Sequence, residues 1–293
     1  MYKDVFYNQY LGTASGDNLS RYSRPINDMG AMSKEIPDDS TISQIKNLYL
    51  GDLKILDLYL GLFVSYLKHK NWYDDSLIII TSDHGEEFRE HDGMFHNTLY
   101  DEVIRVPFIL KLPNNAWGKD KIKPIKKDVS IPISAGLDLA PTILDILDIT
   151  IPSSFQGQPL TKYLKYNELD TRDDVCIYSE RILDEYADPD HYSLAIRTNN
   201  YKYIINCNFN TDTINNFNRI NSIEEFYDLI LDPMEKNNLV NDEKYMIIVS
   251  KFKKKADTFI NDCIKFSENG CNSLDIELND VVLERLRKLG YIE

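Results

Sequence analysis

The sequence predicts an α/β fold, a partial sheet sandwiched by helices, followed by a small α+β unit with an antiparallel sheet. Three observations predict it. A long stretch with apolar residues at helical spacing leads into the apolar run Leu77-Ile78-Ile79-Ile80, which reads as a buried strand. A second apolar run, Val106–Leu112, follows a polar loop and leads on to another helical stretch. Beyond residue 170 the pattern turns to short strands separated by turn signals, with helices after them.

The elements follow in order. Residues 1–40 form an irregular segment, with Gly12, Gly16, Pro25, Gly30 and Pro37 and little periodicity. Residues 41–150 form the α/β part. Asp38, Asp39 and Ser40 offer N-caps to a helix over about 42–67, whose Ile45, Leu48, Leu53, Leu56, Leu60, Phe63 and Leu67 recur at helical spacing. Asn71–Asp75 make a turn, Leu77–Thr81 a strand and Val106–Leu112 another. A Lys-rich loop spans 114–130. A helix then covers Leu139–Leu147, with Pro141 expected in its first turn, where proline is tolerated. Residues 151–170, with Pro152, Ser153, Ser154, Gly157 and Pro159, read as a linker. In 171–293, Leu194–Arg197, Tyr201–Asn206 and Glu225–Leu229 read as strands. Helices are expected over Lys244–Phe266 and Val281–Leu289.

Composition narrows the partners. The chain has 293 residues and a net charge of -14, which disfavours nucleic acid and anionic membrane. An anionic substrate would need local cations or a metal to offset that field. Cys176, Cys207, Cys263 and Cys271 show no paired zinc-type spacing, and a chain of this length builds a core without staples, so unpaired thiols are expected. The opening Met1-Tyr2-Lys3-Asp4 does not read as a signal peptide. The long helix carries Asp52, Lys54 and Asp57 and does not read as a membrane span. The expectation from both is a cytoplasmic chain.

The chemistry concentrates in Thr81–Pro107, TSDHGEEFREHDGMFHNTLYDEVIRVP, which holds three of the five histidines. Asp83 and His84 stand where the first strand ends, the place where ligands bind in α/β folds. A lone Asp-His pair more often caps a turn. Here the strand before it, Gly85 after it and the further acids and histidines supply the context of a divalent-cation site. His96 can give a proton to a leaving oxygen or bond an anion. His91, between Glu90 and Asp92, reads as solvated or supporting.

This run resembles the core motif of the sulfatase family, in the alkaline-phosphatase-like superfamily. Gly136-Leu-Asp-Leu-Ala-Pro-Thr-Ile-Leu-Asp-Ile-Leu147 resembles the helix that follows in that family. Arg197-Thr-x-x-Tyr-Lys-Tyr203, Glu225-Phe-Tyr-Asp-Leu and Asp232-Pro233-x-Glu235 resemble its C-terminal subdomain. The resemblance covers about residues 37–293. It implies a partial alkaline-phosphatase-like sheet and hydrolysis of a sulfate ester, on a carbohydrate or an aryl alcohol. It implies Asp83 and His84 as metal ligands. His96 stands at the position that contacts sulfate or leaving group, with His91 as the alternative. Calcium is the family's usual ion; an imidazole at position 84 leaves manganese, magnesium and zinc open. The family's formylglycine arises in a Cys-or-Ser-x-Pro-x-Arg motif, and no such motif occurs in this chain. The expectation is therefore the C-terminal portion of a sulfatase, inactive alone, with an N-terminal half as partner. Two rival readings remain: a phosphoester or phosphonate hydrolase or phosphotransferase of the same superfamily, and a non-catalytic binding or structural chain.

Overall fold

A computed structural model of the chain describes residues 38–91, 93–114, 133–161, 163, 175–182, 191–208 and 222–268. The expected terminal helix at 281–289, nearly all of the N-terminal segment, the Lys-rich loop and the later part of the linker lie outside the described residues.

Helix α1 runs Asp39–His69. Asp38 caps it, accepting from the Thr41 N–H at 2.7 Å. Asp39 in its first turn and Lys68 and His69 in its last complement the helix dipole. Few of its apolar side chains find cover within the described residues. Ile42 and Leu67 are buried, whereas Leu53, Leu56, Tyr59, Leu62 and Phe63 are exposed.

Strand β1, Ile78–Thr81, pairs antiparallel with β4, Phe108–Lys111, with Ile79 opposite Leu110. The second strand starts later than its apolar run suggests. Pro107 has no N–H to give the ladder, so pairing begins at Phe108. Lys111 ends it by donating to the carbonyls of Tyr73, Asp74 and Ser76 in the turn after α1. Between the two strands lie a two-by-two hairpin, β2 (Glu87–Phe88) with β3 (Met94–Phe95), and the one-turn helix α2 (Asp101–Ile104).

Helix α3 runs Ala135–Ile146, one turn earlier than its leucine pattern suggests. Ser134 caps it by accepting from the Leu137 N–H, and Asp138 reaches back to the Ser134 N–H at 3.0 Å. Pro141 is thus in mid-helix, which corrects the first-turn expectation. Proline cannot bond the carbonyl four residues back, that of Leu137. The Gly157 backbone packs so closely on that carbonyl that no Cβ fits. Thr142 strengthens the contact, donating to the Asp138 carbonyl and accepting from the Leu160 N–H at 2.9 Å.

The remainder is a four-stranded antiparallel sheet in the order β5 (Ile177–Ile182), β6 (His191–Arg197), β7 (Tyr201–Asn208), β8 (Ile223–Asp228). A short 3-10 turn, Glu243–Tyr245, leads into helix α4, Met246–Glu268. The period-two alternation of the strands sorts two cores. Leu194, Ile196, Tyr203, Ile205 and Phe226 face Val249, Phe252, Ala256 and Ile260 of α4. Ala195, Ile204 and Tyr227 face the other way, onto Leu99, Tyr100 and Ile104. The sheet is therefore covered on both faces, and its second cover is the segment that carries α2. Among the described residues, Cys176, Cys207 and Cys263 form no disulfide. No helix among the described residues is long and apolar enough to cross a membrane.

Candidate active site

Where β1 ends, the chain turns sharply. The Ser82 hydroxyl donates to the His84 carbonyl at 2.8 Å, and the Gly85 N–H donates to the Val103 carbonyl at 2.7 Å. Gly85 lies against the Glu102 carbonyl, leaving no room for a Cβ. This turn sets Asp83 and His84 at one rim of a cleft of about 2000 Å3, also lined by His96, Arg105 and Arg197.

Asp83 is highly exposed, and its carboxylate accepts from the His84 N–H at 2.9 Å. That bond holds its carboxyl below the usual range. His84 Nδ1 lies 2.8 Å from the Gly85 carbonyl, an acceptor, which assigns the proton to Nδ1 and leaves the Nε2 lone pair free. His84 Nε2 is 3.7 Å from Asp83 Oδ2. The rings of His84 and His96 lie face to face, 4.0 Å apart and tilted by 31°. His96 Nδ1 is 3.1 Å from Glu86 Oε1.

The loop that presents His96 is wound around Glu87, which is wholly buried. Its carboxylate accepts from the N–H groups of His91 and Gly93 and from the Thr98 hydroxyl. A Cβ on residue 93 would meet that carboxylate and push it off its bonds.

The structure places His91 elsewhere. Its Nδ1 faces Glu102 Oε1 at 2.5 Å, its Nε2 faces the Met234 and Glu235 carbonyls at 3.0 Å, and its ring stacks on Tyr100 at 3.6 Å. Both nitrogens are engaged, and the ring does not line the cleft. Of the two histidines the sequence offers for contact with substrate, the geometry brings His96 to the site and uses His91 as a brace.

A second brace is built into the wall of the cleft. Asp101 receives Arg197 at 2.8 Å and Lys202 at 3.1 Å, and Lys202 also meets Glu235 at 2.7 Å. Strand periodicity explains the convergence, since Arg197 and Lys202 share the sheet face of Ala195 and Ile204. Burial alone would raise Asp101. The bonds from Arg197 and the charge of Lys202 outweigh it and hold the carboxyl at about 2. Burial pushes Glu235 up, partly offset by Lys202.

A depressed carboxyl stabilises the fold above its unfolded value, about 3.9, and loses that contribution as pH falls through its folded value. Stability between pH 4 and pH 2 is therefore expected to fall less steeply in Asp101→Asn than in the native chain. Parallel slopes in urea titrations across that window would refute the pairing.

Sequence reasoning missed Glu86, Glu87 and the Asp101 network. Glu86 and Glu87 stand in a run of acids with no local mark to separate a site carboxylate from a buried or a solvated one. The tie of Asp101 to Lys202 spans 101 residues, beyond any local pattern.

Comparison with known proteins agrees with the fold. Residues 6–149 match the Sulfatase family model, and residues 89–262 match that of N-sulphoglucosamine sulphohydrolase, C-terminal. An N-acetylglucosamine-6-O-sulfatase of Bacteroides thetaiotaomicron is 30% identical over 67% of this chain and 32% of its own length. The multifunctional alkaline phosphatase superfamily protein PehA of Trinickia caryophylli is 29% identical over 75% of this chain and 41% of its own length. Among solved structures, a 2-O GAG sulfatase superposes with a TM-score of 0.52 at 28% identity, over 65% of this chain and 37% of that one. A phosphonate monoester hydrolase from Silicibacter pomeroyi gives 0.61 over 82% of this chain and 45% of that one; at 23% identity it speaks to the fold alone. The fold is that of the alkaline-phosphatase-like hydrolases. Within them, the chain belongs to the sulfatase family. It spans less than half the length of the curated relatives it matches.

Proposed function

We propose that this chain supplies the metal-binding and leaving-group side of a sulfuric ester hydrolase site. The observation that carries the reading is the meeting of Asp83, His84 and His96 at one cleft beyond β1. Asp83 and His84 would hold a divalent cation, calcium by family usage. The donors fit: an exposed carboxylate, and an imidazole whose Nδ1 donates to a backbone carbonyl while Nε2 stays free, as metal-bound histidines are arranged. The cation would neutralise sulfate oxygens. His96 would deliver a proton to the departing alcohol oxygen, its ring steadied by Glu86. Two protein ligands are few for an ion that takes about six to eight oxygens, so affinity of this chain alone for calcium should be weak.

The substrate is a sulfate ester, and the cleft leaves room for a carbohydrate. At about 2000 Å3 it is larger than the ~300–1,000 Å3 of small-molecule sites. That volume, and the exposed apolar surface of α1, support completion by an N-terminal sulfatase half carrying the nucleophile. Phosphonate or phosphoester hydrolysis is the second reading, and the PehA relative, named for the alkaline phosphatase superfamily, favours the phosphoester.

An aryl sulfate and an aryl phosphate, assayed with the chain alone and with a matching N-terminal half, test all of this. The chain alone is expected to be silent. The completed protein should turn over the sulfate, with a loss of about 100-fold or more in His96→Ala. Preference for the phosphate would favour the second reading. Turnover by the chain alone that is lost in Asp83→Ala would mean that the nucleophile is in this chain.

A further inference from the structure

We propose that His84, Glu86 and His96 form a site for a borderline transition cation of the zinc class, which shares His84 with the Asp83–His84 pair but replaces Asp83 by Glu86 and His96. Each of the three residues presents a ligand atom within 4.8 Å of the other two. Glu86 Oε1 lies 3.1 Å from His96 Nδ1 and 4.0 Å from His84 Nδ1. A tetrahedral ion with bonds of ~2.0–2.1 Å sets its donors about 3.4 Å apart. The Glu86–His96 distance is close to that edge, and a turn of the partly exposed His84 ring brings its free Nε2 to the third corner.

An independent observation points the same way. Glu86 Oε2 is buried and has no hydrogen-bond partner among the described residues. A carboxylate oxygen removed from water without a donor is costly, and a cation held beside it removes the cost. Two imidazoles with one carboxylate suit zinc-class ions, whereas calcium prefers oxygens throughout. His84 Nδ1 keeps the Gly85 carbonyl at 2.8 Å as its outer acceptor while Nε2 turns to the ion. Three protein ligands leave a fourth position open. An ion held here occupies the ring that would serve the leaving group, so zinc acts as an inhibitor of the hydrolytic arrangement.

Titration of the full chain with Co2+, read by its visible ligand-field absorption, tests the site without turnover. One Co2+ per chain is expected, with the strong band of a four-coordinate ion, displaced by Zn2+ but not by a hundredfold excess of Ca2+. His96→Ala and Glu86→Gln should each weaken Co2+ binding by about tenfold or more, by the scale seen when even supporting contacts are lost. Asp83→Asn should leave it within about twofold, as it removes none of the three donors. His96 is half exposed, so its variant retains the fold even if Glu86→Gln does not. Affinity unchanged in His96→Ala would overturn the proposal. So would loss of the band in Asp83→Asn, which would place the ion in the other pair. A failed sulfatase assay bears on the hydrolytic reading and leaves this one standing.

Discussion

Lys202→Met is expected to lower the unfolding free energy by about 3–5 kcal/mol, the usual cost of removing one partner of a buried ion pair. Lys202 is fully buried and lies between Asp101 and Glu235. Methionine fills much of the same volume, so the change is mainly electrical. Asp101 keeps Arg197, but Glu235, itself fully buried at its carboxylate, keeps among the described residues only the Asp101 N–H at 2.7 Å. Urea denaturation followed by circular dichroism measures the effect. A loss under about 1 kcal/mol would mean that the cluster is far better solvated than its burial indicates. Because Asp101 opens the helix α2 that closes the site loop, the same variant should also loosen His96. Proteolysis within residues 85–100 should become faster.

The second large effect concerns α1. Apolar side chains cover most of its circumference, and helices of that kind are built to be buried. Leu56 and Phe63, seven residues apart and so on one face, are each 53% exposed. Contiguous apolar surface beyond a few hundred Å2 marks an interaction surface or an aggregation risk. The chain 1–293 is expected to self-associate with rising concentration in sedimentation experiments. Leu56→Glu with Phe63→Glu should shift it toward the monomer at little cost in helix content. A matching N-terminal half should achieve the same without mutation. A chain that stays monomeric at high concentration, with or without the substitutions, would remove the argument for a missing cover.

What was legible in the sequence follows from the range of the forces involved. Strand β1 was visible because an apolar run ended abruptly at Asp83-His84-Gly85. Helices α1 and α4 were visible because their apolar spacing is long and regular. Strand β5 was missed: it has β6 alone as a partner, and Ser179, Glu180 and Arg181 dilute its alternation. The β2–β3 hairpin was missed because two-residue strands leave no period to read. Pro141 was misplaced because the start of α3 is written in Ser134 and Asp138, one turn ahead of the leucines. At the site, Asp83, His84 and His96 were legible as chemistry. The separation of His96 from His91 was not, since it depends on the Met234 and Glu235 carbonyls, more than 140 residues away.

That last contact limits how the chain can be recombined. The histidine in the loop that presents His96 rests on backbone more than 140 residues away in sequence, and backbone carbonyls exist at every residue whatever the side chain. What His91 reads is therefore the shape of the turn after β8, not its composition. An exchanged C-terminal segment of foreign sequence would serve if it reproduced that turn. One of high identity carrying a single inserted residue there would leave the imidazole Nε2 without its acceptors. In building chimeras of this family, loop length at 229–235 should outrank sequence similarity as the rule for choosing a donor.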